Sequence, residues 1–259
     1  MKVLCIGDIM GEPGRRAVAR VVPRLVSQRK IDVVVGNGEN AAGGFGITPE
    51  LAEELFKMGL SAITTGNHAW DKKEILDYFP RERRLLRPAN YPEGVPGQGS
   101  YVIETSSGEA LGILQLMGRA YMPTLDCPFQ VARREIARLK KRVAAIVVDM
   151  HAEATSEKMA MGHYLDGEVT AVVGTHTHVQ TADEQILPRG TAYLTDIGMT
   201  GPLHGVIGVK KELAIEKFLT GMPRRFEVAS GPVVFCAALL DIDARIGKAL
   251  SIERIRIPD

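Results

Sequence analysis

Residues that can bind metal ions or transfer protons recur at five places along the chain, usually directly after a glycine. The five segments are Gly7-Asp8, Gly38-Glu39-Asn40, Gly66-Asn67-His68, His151 and Gly174-Thr175-His176-Thr177-His178. Carboxylates, carboxamide oxygens and imidazoles are ligands of manganese, iron and zinc in proteins. Because one cation takes about four protein ligands, this surplus predicts a two-metal site that shares a bridging carboxylate.

Most of these segments have an alternative interpretation when taken alone. Asp8 alone could cap a helix, and Asn40 and Asn67 alone are typical turn residues. His151 alone could equally be a hydrogen-bonded histidine of the core. The two histidines on either side of Thr177 are more specific, because such a pair beside threonines at a strand end rarely serves packing. The five segments together favour a metal site.

Three further residues carry weaker signals. His163 lies in a predicted helix over Ser156–Leu165 and is interpreted as a structural or surface residue. His204, in a loop that ends in glycine, could line the cleft in which the metal site lies. We expect Trp70 to pack beneath the neighbouring Asn-His pair, with base stacking as the alternative.

The elements that precede these segments must bring them together. Short apolar, β-branched runs end just ahead of each one, at Lys2–Gly7, Asp32–Gly36, Leu60–Thr65, Ala144–Asp149 and Val169–Val173. In open α/β sheets, sites form beyond the carboxyl ends of the strands. If these strands are parallel neighbours, their ends converge on one crevice.

The rest of the chain predicts helices and hairpins that complete an α/β domain over residues 1–259. Thr48-Pro49 opens a helix through Met58, and Thr155 and Ser156 are expected to cap the helix after His151. A further helix covers about 130–142. Two antiparallel hairpins are predicted, one over 101–117 and one over 233–257. This pattern indicates a mixed sheet or two stacked sheets.

The composition is that of a globular protein of a reducing compartment. Hydrophobic residues make up 45% and charged residues 24%, and the net charge of +1 gives no strong signal for nucleic-acid or membrane binding. Three cysteines without a C-x-x-C spacing argue against a disulfide framework. The first apolar run ends at Asp8, which is too short for a signal peptide, and no run could span a membrane. We expect a cytoplasmic protein.

The ordered segments resemble the motifs of the calcineurin-like metallophosphoesterase superfamily. A closer resemblance is to its YmdB-like branch of 2′,3′-cyclic-nucleotide phosphodiesterases, carried by GDIMGEPGR, GENAAGGFGIT, TGNHAWD, HAEATSEK, GTHTHVQTAD and DIGMTGP. This resemblance implies a four-layer α/β/β/α sandwich of two mixed sheets. It also implies a cyclic nucleotide as the small-molecule substrate.

The sequence departs from the wider superfamily at three positions. Met10 stands where the first motif would have a histidine, and Glu39 replaces the usual bridging aspartate, with Asn40 beside it as a substitute ligand. Ala69 follows the Asn-His pair where an acidic residue is usual. Asp71 could replace that acidic residue as the partner that orients the histidine.

The resemblance implies a role for each motif residue. Site one would bind its ion through Asp8, Glu39, Asn40 and His178, and site two through Glu39, Asn67, His151 and His176. Iron or manganese is favoured in the oxygen-rich first site, and zinc is an alternative. The hypothesis is that hydroxide activated by the two metals attacks phosphorus, while His68 protonates the departing oxygen as general acid.

Alternatives to this function stay open at the level of sequence. The shared motifs also suit a phosphomonoesterase, a protein phosphatase or a nuclease. A protein of another class would be a metal-containing regulatory nucleotide-binding protein with incidental hydrolysis. The glycine-rich loop 41–46 either approaches a nucleotide or is a plain turn. The sequence identifies no substrate-binding residue and leaves the oligomeric state open, a homo-oligomer included.

Overall fold

The computed structural model describes all 259 residues, which form thirteen β-strands, five α-helices and one short 3-10 helix. The strands are β1 (Lys2–Ile6), β2 (Asp8–Ile9), β3 (Val33–Asn37), β4 (Ala62–Thr64), β5 (Ser100–Glu104), β6 (Ala110–Met117), β7 (Ala145–His151), β8 (Ala171–Thr175), β9 (Gln185–Ile186), β10 (Ala192–Leu194), β11 (Met199–Pro202), β12 (Val233–Asp243) and β13 (Lys248–Pro258). The helices are α1 (Gly11–Arg29), α2 (Pro49–Lys57), α3 (Pro128–Leu139), α4 (Thr155–Tyr164) and α5 (Lys211–Thr220), and the 3-10 helix is Lys73–Ile75.

The strands form two mixed sheets. Sheet one has the order β2-β11-β12-β1-β3-β4, with β13 paired to β12, and its strands β1, β3 and β4 are parallel. Sheet two has the order β5-β6-β7-β8-β10-β9, in which the four inner strands are parallel and the two edge strands antiparallel. Both sheets therefore have parallel strands whose carboxyl ends can contribute to a site.

Alternating side chains along the strands separate the core into layers. On β1, Val3 and Cys5 pack between the sheets, together with Val147 and Val173 from sheet two. The intervening Leu4 lies on the other face of sheet one, in the cluster that contains buried residues of α1 and α2. The outer face of sheet two packs against α3 and α4 in the same way. The predicted four-layer α/β/β/α sandwich of two mixed sheets is confirmed.

Most predicted elements lie close to their observed bounds. Both hairpins form, as β5 with β6 and β12 with β13. Thr48 caps α2 by accepting a hydrogen bond from the backbone N–H of Leu51. No helix of the chain combines the length and the apolar character needed to cross a membrane.

Two details of the sequence interpretation were wrong or incomplete. Thr155 and Ser156 do not cap α4, because Ala154 occupies the cap position and no side chain accepts a hydrogen bond there. Helix α5 was not predicted. Its apolar residues Ile215, Phe218 and Leu219 do recur at helical spacing, but they are exposed, and only Ala214 of this helix is buried.

Candidate metal centre

The seven side chains predicted as metal ligands all lie where a strand ends. Sheet one contributes Asp8 at the start of β2, Glu39 and Asn40 in the turn after β3, and Asn67 after β4. Sheet two contributes three histidines. His151 is the last residue of β7, not a residue beyond it as the sequence suggested, because β7 pairs with β8 up to that position. His176 and His178 follow β8 directly.

Four of these side chains meet around one atom, Nε2 of His151. This nitrogen lies 3.0 Å from Oε1 of Glu39, 2.9 Å from Oδ1 of Asn67 and 3.1 Å from Nδ1 of His176. When two ligand atoms each lie about 2.1 Å from an ion and their bonds to it form a right angle, the two atoms are about 3 Å apart. The donor set of two imidazoles and two oxygens therefore fits the second metal site that the sequence predicted.

The other predicted site is marked by buried oxygens without a hydrogen-bond partner. Oδ1 of Asp8 and Oδ1 of Asn40 are both buried and unpaired. Such groups are rare, because burying them without a partner costs about 1–3 kcal/mol each. Nε2 of His178 lies 4.0 Å from Oδ1 of Asp8, and its Nδ1–H donates to the carbonyl of Ile207, which leaves Nε2 as the free acceptor. This donor set fits a cation.

The carboxylate of Glu39 lies between His151 and the backbone of His68. One of its carboxylate oxygens contacts His151, and the other accepts a hydrogen bond of 3.0 Å from the backbone N–H of His68. Burial alone would raise the pKa of Glu39, but the charges of His151 and His68 lower it to about 2. The side chain is thus an anion at neutral pH despite complete burial, and in that form it could bind a metal ion.

The neighbouring groups hold complementary charges. Burial would lower the pKa of His151, but Glu39, Asp8 and Asp149 raise it to about 9. The pKa of His176 falls to about 3 because the ring is buried beside His151. Burial raises the pKa of Asp8. The cluster concentrates ionisable groups in a small buried volume, as functional sites commonly do.

A chain of hydrogen bonds behind His151 fixes its other ring nitrogen. The Thr175 hydroxyl donates to Oδ1 of Asp149 at 2.7 Å and lies 2.9 Å from Nδ1 of His151. Since its hydrogen is used, the hydroxyl is left to accept from Nδ1–H, so Nε2 is the ring nitrogen that would bind a metal ion on release of its proton. Asp149 also accepts from Thr64 at 2.6 Å, and burial raises its pKa to about 7.

Sequence reasoning did not identify these supporting residues. Asp149, Thr64 and Thr175 are polar residues inside apolar strand runs, and that was the available signal. Glu153 was also missed. Its carboxylate lies 3.0 Å from Nε2 of His176, so that Nδ1 of this ring points towards the ligand group.

The backbone around the site is constrained. His176 and His178 have φ angles of 101° and 65°, in the left-handed region that costs residues other than glycine about 1–3 kcal/mol. Gly66 allows close approach from sheet one. A Cβ atom there would lie 2.2 Å from Nε2 of His151 and 2.6 Å from Oε2 of Glu39.

His68 lies beside the ligand group without joining the contacts around His151. Its Nδ1 is 2.7 Å from Oδ2 of Asp71, so Asp71 does occupy the orienting position suggested for it. About a quarter of the His68 side chain is exposed. The ring of Phe45, from the glycine-rich loop, packs edge-on against it with centroids 5.1 Å apart.

The weaker candidates lie away from these contacts. His163 is exposed on α4, as expected of a surface residue. His204 is exposed as well, and it does not line the cavity of about 240 Å³ beside His178, although Leu203 does. Trp70 packs against the core cluster of sheet one and the ring of Phe79, which supports the packing interpretation.

The four-layer sandwich, with carboxylate, amide and imidazole groups gathered at strand ends, defines the metallophosphoesterase class of fold. The family model described as "YmdB-like protein" matches residues 4–255. The chain belongs to this YmdB-like family, as its motifs predicted.

Similar proteins agree with this assignment along the whole chain. A Bacillus subtilis (strain 168) protein named "2′,3′-cyclic-nucleotide 2′-phosphodiesterase" is 50% identical over 100% of this chain and 98% of its own length. A Mycoplasma pneumoniae "putative phosphatase/phosphodiesterase" is 36% identical over 99% of this chain and 93% of its own. The prediction that the chain is a hydrolytic enzyme is confirmed at the level of the family.

Two solved structures share the fold. A hypothetical protein from Thermus thermophilus has a TM-score of 0.94 and 43% identity, with full coverage of both chains. A structure titled as a novel phosphatase from Mycoplasma pneumoniae has a TM-score of 0.93 and 36% identity over 100% of this chain and 93% of its own.

Proposed function

We propose that this protein is a metal-dependent phosphodiesterase that hydrolyses cyclic nucleotides, with 2′,3′-cyclic nucleotides as the favoured substrates. The observation that carries the proposal is the meeting of oxygen and imidazole donors from two sheets around Nε2 of His151, beside the unpaired oxygens of Asp8 and Asn40. The name of the Bacillus subtilis relative supports the choice of substrate.

The proposed ligands divide between two ions that share one carboxylate. Site one consists of Asp8, Glu39, Asn40 and His178, and site two of Glu39, Asn67, His151 and His176. When bound, the two ions would activate water and neutralise charge on the phosphoryl oxygens. Iron or manganese suits the oxygen-rich first site, and zinc suits the imidazoles of the second.

His68 is the proposed general acid. The Asp71 carboxylate, 2.7 Å from Nδ1, orients the ring and leaves Nε2 to donate a proton to the departing oxygen. The ring is partly exposed, so a substrate can reach it, whereas His151 is fully buried and cannot serve in this way. His68 also anchors Glu39 through its backbone N–H, which places the acid next to the shared ligand.

The proposal includes a small-molecule substrate and a cytoplasmic location. The three cysteines form no disulfide bond, and Cys5 and Cys236 are buried in the core. Such thiols suit a reducing compartment, where nucleotides are also available.

A substrate panel tests the proposed reaction. The metal-loaded protein should be assayed with 2′,3′-cyclic AMP, 3′,5′-cyclic AMP, bis-p-nitrophenyl phosphate and a phosphomonoester. We expect the highest kcat/KM for 2′,3′-cyclic AMP. Preference for the monoester would indicate a phosphatase. Nucleotide binding without turnover would indicate a regulatory binding protein and contradict the proposal.

A further inference from the structure

A fully buried ion pair lies behind the histidine segment. Nζ of Lys158, on α4, is 2.6 Å from Oδ2 of Asp196, which follows β10, and the two side chains are 1% and 0% exposed. Replacing a buried ion pair by apolar residues is often neutral or stabilising, so such a pair is weak evidence for a role in stability. The additional contacts of the two side chains indicate what else they do.

Both members of the pair bind the backbone on either side of His176. The Lys158 ammonium donates to the carbonyl of Thr175 at 2.9 Å. Oδ2 of Asp196 accepts from the N–H of Thr177 at 3.1 Å and from its hydroxyl at 2.6 Å. The residue between these two anchors is therefore fixed from both directions.

The fixed segment is the one with unfavourable backbone angles. His176 and His178 both have positive φ, a conformation that persists only where the surrounding structure imposes it. A third anchor comes from Asp8, which accepts a 3.1 Å hydrogen bond from the N–H of His176. The ion pair supplies the other anchors, and neither of its members is within the set of proposed ligands.

Packing leaves little room for this segment to move. A Cβ atom on Gly174 would lie 1.8 Å from the carbonyl oxygen of Thr195 and 2.7 Å from the Lys158 side chain. The other carboxylate oxygen of Asp196 accepts a 2.8 Å hydrogen bond from the N–H of Gly198. The carboxylate is thus anchored itself, and it transmits that rigidity to Thr177.

We propose that the Lys158–Asp196 pair is a positioning device that holds His176 and His178 in their ligand conformation and thereby sets the affinity of the protein for metal ions. This inference rests on the proposed function, because it assumes that these two histidines are ligands. Groups that orient metal ligands typically change metal affinity by 10–100-fold when they are removed.

The test replaces the pair without leaving an unpaired buried charge. In the double variant Lys158→Met/Asp196→Asn, we expect the Mn²⁺ dissociation constant, measured by calorimetry on chelator-treated protein, to rise about 10–100-fold. The thermal unfolding midpoint of the metal-free protein is measured in parallel. A purely structural pair would change that midpoint and leave the Mn²⁺ affinity of the folded protein unchanged, which would overturn the inference.

A matched control comes from the opposite end of sheet two. Asp166 is also buried and also accepts hydrogen bonds from loop backbone, at the N–H groups of Arg189 and Thr191. Asp166→Asn should leave the Mn²⁺ affinity at the wild-type value. An equal loss of affinity in this control would show a general effect of loosening the fold, and would contradict the specific role of the pair.

A milder variant decides the question if the double variant does not fold. Thr177→Val removes only the hydroxyl contact with Asp196 and keeps the ion pair, so a severalfold weaker Mn²⁺ affinity is expected. Unchanged affinity in this variant would refute the inference. If the wild-type protein bound no Mn²⁺, iron or zinc, the proposed function itself would be wrong. That result is distinct from failure of the inference, in which the wild-type protein binds metal and the variants bind it equally well.

Discussion

The two sheets contribute different chemistry to the candidate metal centre. All of the oxygen donors come from sheet one, at Asp8, Glu39, Asn40 and Asn67, and all of the imidazoles come from sheet two, at His151, His176 and His178. Neither sheet alone holds a complete ligand set. The centre therefore depends on how the two sheets pack against each other, in a way that a site built on one sheet would not.

The two sides also differ in how the backbone presents the ligands. On sheet one, glycines such as Gly66 leave room for close approach at the strand ends. On sheet two, His176 and His178 adopt left-handed angles as non-glycine residues and are supported by the buried Lys158–Asp196 pair. Turns and a short strand present the oxygens and a regular strand presents His151, whereas His176 and His178 require strained backbone and a buried polar network.

The largest effect is expected at the residue that joins the two sides. Glu39→Ala should abolish binding of both ions and lower kcat/KM by at least about 10⁴-fold, because it removes the shared carboxylate. Metal content and turnover are measured together, with Glu50→Gln on the exposed start of α2 as the control. A variant that kept both ions would disprove the bridging role.

Ligands that belong to one sheet should have a smaller effect. Asp8→Ala is expected to empty site one and His151→Ala to empty site two, each with a loss of about 10³-fold in kcat/KM. Metal analysis of the purified variants checks the prediction, and His163→Ala on α4 is the matched histidine control. Retention of full metal content in either variant would contradict the ligand assignment.

Loss of the proposed general acid should separate chemistry from metal binding. His68→Ala is expected to keep its metal content and lose about 10²–10³-fold in kcat for 2′,3′-cyclic AMP. The loss should be smaller with bis-p-nitrophenyl phosphate, because its good leaving group needs little protonation. A variant that lost its metal ions would show that His68 acts as a ligand.

The smallest effect tests the packing between the sheets. Val147 and Val148 are neighbours on β7, but the first faces sheet one and the second faces the helices. Each substitution to alanine should lower the free energy of unfolding by about 1–3 kcal/mol. Only Val147→Ala is expected to weaken metal affinity as well, by a few fold. The two variants are compared under conditions in which both are fully folded. Equal metal affinities of Val147→Ala and Val148→Ala would then argue against coupling through the inter-sheet core.

The sequence allowed prediction of where the candidate ligands lie because each follows a recognisable strand. Asp8, Glu39 and Asn67 come shortly after apolar β-branched runs, and the resemblance to the metallophosphoesterase motifs implied their roles as ligands. The sheet order was not predictable in this way. The assignment of oxygens to one sheet and imidazoles to the other follows from pairings between strands far apart in sequence.

The supporting groups were hidden for a different reason. Lys158 lies in a helix with other charged residues and looks like a solvated side chain, and only the tertiary structure shows that it is buried against Asp196. Asp149 differs from its neighbours only as a polar residue in an apolar strand. Burial of a charged group depends on what packs over it, and single-sequence periodicity does not contain that information.

Anomalous diffraction from crystals of protein purified without chelator tests the central claim most directly. The account predicts two metal peaks, one between Asp8, Asn40 and His178 and the other between Asn67, His151 and His176, with Glu39 reaching both. Elemental analysis of the same sample identifies the metals. Crystals of active protein with no peak among these side chains, or with metal bound elsewhere, would contradict the account.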